Sequence, residues 1–101
     1  MIVYNVTTMV NAGRADEWVE WMRKEHIPAL MSTGCFTDFR MMRLLDVDES
    51  EGMTYAVQYH CESREDCERY MERFAPGLRK AAQDRWADDA LSFRTLMEVI
   101  N

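Results

Sequence analysis

Of this chain's two histidines, the side chains whose ordinary pKa suits proton transfer near neutral pH, His26 is the one that lands inside the apolar stripe of a helix. In a helix read from about Arg14 to Ser32, at about 100° per residue, Ala15, Trp18, Val19, Met22, Ala29 and Leu30 fall within an arc of about 120°, with His26 near its middle. Asp16, Glu17, Glu20, Arg23 and Lys24 lie largely outside that arc. A neutral imidazole so placed, with an ordinary pKa of about 6.5, could take a proton from an acidic phenol or from a carbon beside a carbonyl. Tyrosine hydroxyls would then hold the oxyanion. Alternation along the strands places Tyr4, Tyr55, Tyr59 and Phe93 on the sheet side that this helix covers. These are the candidate ligand-binding residues, with His26 the candidate general base.

The same residues have a second reading that needs no ligand. A ring aimed at the core must find a partner, because an unpaired buried polar group costs about 1–3 kcal/mol. His26 hydrogen-bonded to a tyrosine hydroxyl or a backbone carbonyl would simply complete the core. Tyrosines alternating along a strand are first of all sheet formers and core. The strand arginines Arg40, Arg43 and Arg94 each call for a carboxylate such as Asp38 or Glu98, or for an anionic ligand.

Other chemistries find less support. Cys35, Cys61 and Cys67 are odd in number and lack CxxC spacing, which suits free thiols in a reducing compartment. With His60 they form no ligand pair at zinc spacing, so no metal is expected. The acidic run Asp46 to Gly52 is shorter than a twelve-residue calcium loop and reads as a hairpin tip. The chain carries no Ser/His/Asp set, no phosphate-binding glycine loop and no nucleotide fingerprint.

The elements that would position His26 follow from pattern and punctuation. Ile2 to Val10 alternates as a strand, and Asn11-Ala12-Gly13 turns into the helix. Pro28 lies inside the helical pattern, removes one backbone donor and crowds the carbonyl of Lys24, so a kink or a fresh turn is predicted there. Gly34 stops the helix. A second strand runs from Cys35 to about Asp46, long enough to predict a bulge or bend, and a third from Met53 to Cys61. Ser63 with Asp66 caps a second helix bearing Cys67, Tyr70, Met71 and Phe74 on one stripe. Pro76 opens a further helix with Leu78, Ala81, Ala82 and Trp86, and the last strand spans Leu91 to Ile100.

The order strand, helix, strand, strand, helix, strand is the ferredoxin-like split βαβ arrangement, an α+β fold with a four-stranded antiparallel sheet. Right-handed crossovers put both helices on one sheet face. The other face, holding Val3, Thr7, Met9, Ala56, Leu96 and Ile100 by alternation, is open, and a second copy of the chain is its simplest cover. At 101 residues the chain is read as one domain, 1–101. Its net charge of −6 argues against nucleic acid or an anionic membrane surface as partner. A strand-like N-terminus without a basic leader, and the lack of any membrane-length apolar run, give a cytoplasmic address as the expectation.

With this layout in place, the motif Trp18-x-x-Trp21-Met22-x-x-x-His26-Ile27-Pro28, followed by Thr33-Gly34-x-Phe36, resembles the dimeric α+β barrel superfamily over nearly the whole chain. The first strand Ile-Val-Tyr-Asn-Val-Thr, the strand Thr54-Tyr55-Ala56-Val57-Gln58-Tyr59 and the final Phe93-Arg94-Thr95-Leu96 most resemble a small bacterial domain family of unknown function. The resemblance implies a homodimer whose two sheets face each other, with small-molecule pockets between each sheet and its own helices. Members of the superfamily include cofactor-independent monooxygenases of antibiotic and polyketide biosynthesis, muconolactone-type isomerases, ether-degradation proteins, haem-degrading enzymes and ligand-sensing domains. Fold therefore leaves function open. The ether-degradation pattern carries over at His26 and Trp21 only, which makes Trp21 a candidate pocket wall. The haem-degrading enzymes are matched at Asn5, but the second helix here has no histidine to bind iron, and no cofactor is expected.

Two functions of different class follow. One is a dimeric module that binds a small apolar or aromatic ligand, or merely assembles. The alternative is a cofactor-independent monooxygenase or isomerase acting on a small aromatic or polyketide-like substrate, with His26 as general base.

Overall fold

A computed structural model describes all 101 residues. Strand β1 (Ile2–Asn11) leads through a short 3-10 turn into the first helical segment, made of α1 (Ala15–Trp21), a π-helical stretch (Met22–His26) and α2 (Ile27–Met31). Strands β2 (Asp38–Arg43) and β3 (Gly52–Cys61) form a hairpin, α3 (Arg64–Arg73) and α4 (Ala75–Trp86) make the second helical layer, and β4 (Ala90–Glu98) closes the sheet. The strand order is β2-β3-β1-β4, with β1 paired antiparallel to both β3 and β4, which is the ferredoxin-like fold.

Local chemistry explains most boundaries. Ser63 Oγ accepts from the backbone N–H of Asp66 at 3.2 Å, the predicted cap of α3. Pro76 stands in the first turn of α4, where its missing N–H has no intrahelical partner to lose. Gly34, at φ 77°, takes the left-handed conformation that ends the first helical segment. Gly52 opens β3 directly against the carbonyl oxygen of Val10, leaving no room for a Cβ.

Register decides which side chains share a face. Tyr4 lies opposite Tyr59 on one side and Leu96 on the other; Val6 lies opposite Val57 and Arg94; Thr8 lies opposite Tyr55 and Ser92. Those residues face the helices, and Thr8 and Ser92 join their hydroxyls at 2.8 Å. The core of Tyr4, Val10, Trp18, Met22, Leu30, Val57, Tyr59, Tyr70 and Trp86 fills the layer between sheet and helices.

Phe93 lies opposite Thr7, on the face turned away from the helices, and Leu96 is on the helix side. β4 carries apolar residues on both faces, so alternation alone could not orient it; pairing with β1 does. The second strand is also shorter than predicted: Cys35 and Phe36 are buried in the approach to β2 rather than paired within it. No helix is long and apolar enough to cross a membrane.

Candidate functional site

The site begins with a backbone defect. Pro28 supplies no N–H to the carbonyl of Lys24, and its ring crowds that oxygen. The chain answers by widening the turn just before it, so that the N–H of Ile27 bonds to the carbonyl of Met22, five residues back. In a regular α-helix, residues 21 and 26 would project about 140° apart. The wider turn closes that angle, and the His26 ring stacks on Trp21 with centroids 4.7 Å apart and planes at 22°.

Trp21 and His26 form one wall of a cavity of about 270 Å³ between the helices and the sheet. Tyr4, Val6, Val57 and Tyr59 are its sheet side, Trp18 and Leu30 add to the helical roof, and Tyr70, Arg79 and Trp86 come from α3 and α4. Arg94 and Ser92 of the edge strand β4 complete it. Aromatic packing sets the walls: Tyr4 lies 5.6 Å from Tyr70 and 6.0 Å from Tyr59 between ring centroids, and Trp21 meets Trp86 edge-on at 5.7 Å. Trp86 is held in turn by two guanidiniums, Arg14 and Arg85, each 4.3 Å from its ring. Arg14 is tied to Asp89 at 2.8 Å, and both arginines are tied to Glu17.

The polar groups of the cavity have few partners within the chain. The Arg79 guanidinium donates to the Tyr4 hydroxyl at 3.3 Å. The imidazole of His26 and the hydroxyls of Tyr59 and Tyr70 make no hydrogen bond, and the buried Nε1 of Trp86 has no acceptor. Burial, reinforced by the positive charge of Arg94, pushes the His26 pKa down to about 4, so the ring is neutral at physiological pH. Burial pushes the phenols of Tyr59 and Tyr70 up, so both stay protonated and can donate. The cavity lining thus holds a neutral imidazole, which can accept a hydrogen bond, and two protonated phenols, which can donate one.

Of the sequence-predicted residues, Tyr4, Trp21, His26 and Tyr59 come together around this cavity. Tyr55 faces the helices but packs on Trp18 at 5.1 Å and lies outside it. Phe93 is on the far sheet face and 73% exposed, so it is no part of this wall. Sequence reasoning missed Tyr70, Arg79 and Trp86 as wall residues. Tyr70 and Trp86 stood on apolar helix stripes and read only as core, and Arg79 carried no signal. The arginine question divides: Arg43 pairs with Glu49 at 2.7 Å, whereas Arg40 and Arg94 meet no carboxylate. The three cysteines are free and buried, and burial pushes Cys61 up to about 12, which makes it a poor nucleophile.

This is a ferredoxin-like α+β protein with an aromatic cavity under its first helix. The chain belongs to the family described as Domain of unknown function (DUF4286), whose model matches residues 1–100. No curated protein matches the sequence. Among solved structures it is similar to a protein of the ethyl tert-butyl ether d (ethd) family from Bacillus halodurans, at 16% identity over 99% of this chain and 100% of that one, with a TM-score of 0.72. It is also similar to a dimeric ferredoxin-like protein from an uncultured marine organism, at 14% identity over 99% and 95% of the two chains and a TM-score of 0.76. A third is a point mutant of SnoaB, a cofactor-independent oxygenase from Streptomyces nogalater, at 16% identity over 99% and 94% and a TM-score of 0.70. At these identities the likeness speaks for the fold.

Proposed function

We propose that this chain is a homodimeric small-molecule-binding module that takes a planar aromatic compound of one or two rings into the cavity beside His26. The observation that carries this is the convergence of His26, Tyr59 and Tyr70 on one aromatic-walled space with no hydrogen-bond partner in the chain. Its volume of about 270 Å³ exceeds the ~150 Å³ that holds benzene in an engineered core and sits near the lower end of ligand pockets, at ~300 Å³. That favours a ligand of naphthol size. The far sheet face supports the dimer: Phe93 is 73% exposed there, with Leu91, Met97 and Met9 around it, and dimeric ferredoxin-like proteins are among the structural neighbours. Three buried free thiols fit a reducing, cytoplasmic setting.

The test is native mass spectrometry of the purified protein alone and with 2-naphthol, paired with a Trp21→Ala variant. A dimer that retains 2-naphthol, and a variant that folds but does not, are the expected results. A stable monomer contradicts the dimer, and failure of any aromatic probe to bind contradicts the cavity.

A catalytic reading has one specific support, the neutral, unpartnered His26. In it a proton passes from a bound substrate's C–H or O–H to the imidazole, leaving an enolate or phenolate held by Tyr59 and Tyr70. Returning the proton at another carbon isomerises the substrate; reaction of the anion with dioxygen oxygenates it. His26→Gln should abolish turnover of such a substrate while keeping its affinity, and unchanged turnover removes His26 from catalysis.

A further inference from the structure

Seven of the chain's twelve basic side chains are paired with carboxylates, and Arg79 and Arg94, two of the five that are not, line the same cavity. None of the residues lining that cavity is acidic, in a protein that carries 18 aspartates and glutamates. The two arginines arrive from different elements, α4 and the edge strand β4. Arg79 is already placed by its hydrogen bond to the Tyr4 hydroxyl at 3.3 Å, an interaction that uses one of its several N–H donors. Trp86 lines the cavity with its ring and is 2% exposed, while its Nε1, which has no acceptor, is itself buried out of reach of a water-sized molecule. The site therefore gathers two cations and several hydrogen-bond donors and supplies no negative charge of its own. A neutral hydrocarbon would leave those donors unanswered, whereas an anionic oxygen answers them with charge-assisted bonds.

We propose that the ligand of this cavity is an aromatic anion, a carboxylate or an acidic phenolate, whose charged oxygens meet Arg94 and Arg79 while its ring lies among Trp21, Tyr59 and Tyr70. This rests on the reading of the cavity as an aromatic-binding site and adds the charge of the ligand to it. Arg94 carries the selectivity and Arg79 assists it, because Arg79 also holds Tyr4.

The test uses two probes of matched ring and differing charge, 2-naphthoate and 2-naphthalenemethanol, titrated calorimetrically into the 101-residue protein and into Arg94→Gln. Arg94 is exposed and makes no ion pair, so its replacement leaves the fold intact, as circular dichroism verifies. In the wild type, 2-naphthoate is expected to bind at least about 10-fold more tightly, with an affinity that falls as salt is raised. In Arg94→Gln that preference should shrink to about 2-fold, through a larger loss for 2-naphthoate than for 2-naphthalenemethanol. Equal binding of both probes to the wild type overturns the anion and leaves the aromatic site standing. An undiminished preference in Arg94→Gln overturns the role of Arg94. Failure of both probes overturns the aromatic site and the anion with it.

Discussion

The layer between helices and sheet has two ends that differ in how they are filled. At one end Cys35, Cys61 and Cys67 are each no more than 2% exposed, and Phe36 packs against Tyr59 at 5.2 Å and Tyr70 at 4.9 Å. Small thiols and one ring close that end with no cavity. At the other end Trp18, Trp21 and Trp86, three indoles, surround about 270 Å³ of space. Larger side chains have left more room because they are held apart: the π-helical turn aligns His26 with Trp21, and Arg14 and Arg85 grip Trp86 from the outside. Side-chain volume alone does not decide where a core is hollow. Backbone geometry and what braces the rings do.

The contrast predicts unequal costs for equal chemistry. Phe36→Ala, in the filled end, should lose about 3–5 kcal/mol of stability in a denaturant titration. Trp21→Ala removes more atoms from a half-buried ring bordering open space and should lose less than half as much, with its effect falling on ligand affinity instead. Equal losses would mean that the cavity end is packed as tightly as the other.

A second consequence is pH-dependent stability from the cavity end alone. The His26 pKa lies near 4 when folded, against about 6.5 unfolded, so the unfolded chain binds more protons between those values. Stability from this group is complete above about pH 6.5 and is lost as pH falls toward 4, by up to about 3 kcal/mol. His26→Phe should flatten the melting temperature across that window. The carboxylates held low by ion pairs, Glu17 and Glu20, are exposed and act below it. An unchanged slope in the variant would place the pH sensitivity elsewhere.

Pro28→Ala sharpens the origin of the hollow. With the missing donor restored, the turn at Met22–His26 should relax toward α-helix and swing His26 away from Trp21. Stability should move by no more than about 1 kcal/mol, while the ring-current shift of the His26 proton resonances collapses and probe binding weakens. Retention of the shifted resonances would show that packing, not Pro28, holds the π turn. The smallest expected signal is at the filled end: a thiol reagent at pH 8 should label none of the three cysteines until the chain unfolds, since all are buried and burial raises Cys61 and Cys67. Rapid labelling of native protein would mean that this end opens.

Much of the frame was legible beforehand because its signals are local. Alternation marked β1 and β3, Ser63 and Pro76 marked the starts of α3 and α4, and Gly34 marked the helix stop. Tyr4, Tyr59, Trp21 and His26 could be gathered from strand alternation, helical spacing and the resemblance of the Trp21–His26 motif. Phe93 went to the wrong face because β4 is apolar on both sides, and Tyr55 faced the right way but too far along the sheet. Arg79 and Trp86 could not be found, since reaching the cavity depends on how α4 docks rather than on its own pattern.

By itself, then, the amino-acid order determined the succession of elements, their caps and stops, the defect at Pro28 and the helix stripe that carries His26. Each follows from backbone sterics and hydrogen bonding within a few residues. Only the tertiary structure decided the orientation of β4, the partnering of Arg43 but not Arg94, and the assembly of His26, Tyr59, Tyr70 and Trp86 around one space. Those are contacts between residues distant in sequence, and they are set by sheet register and the seating of α4, which no single segment encodes.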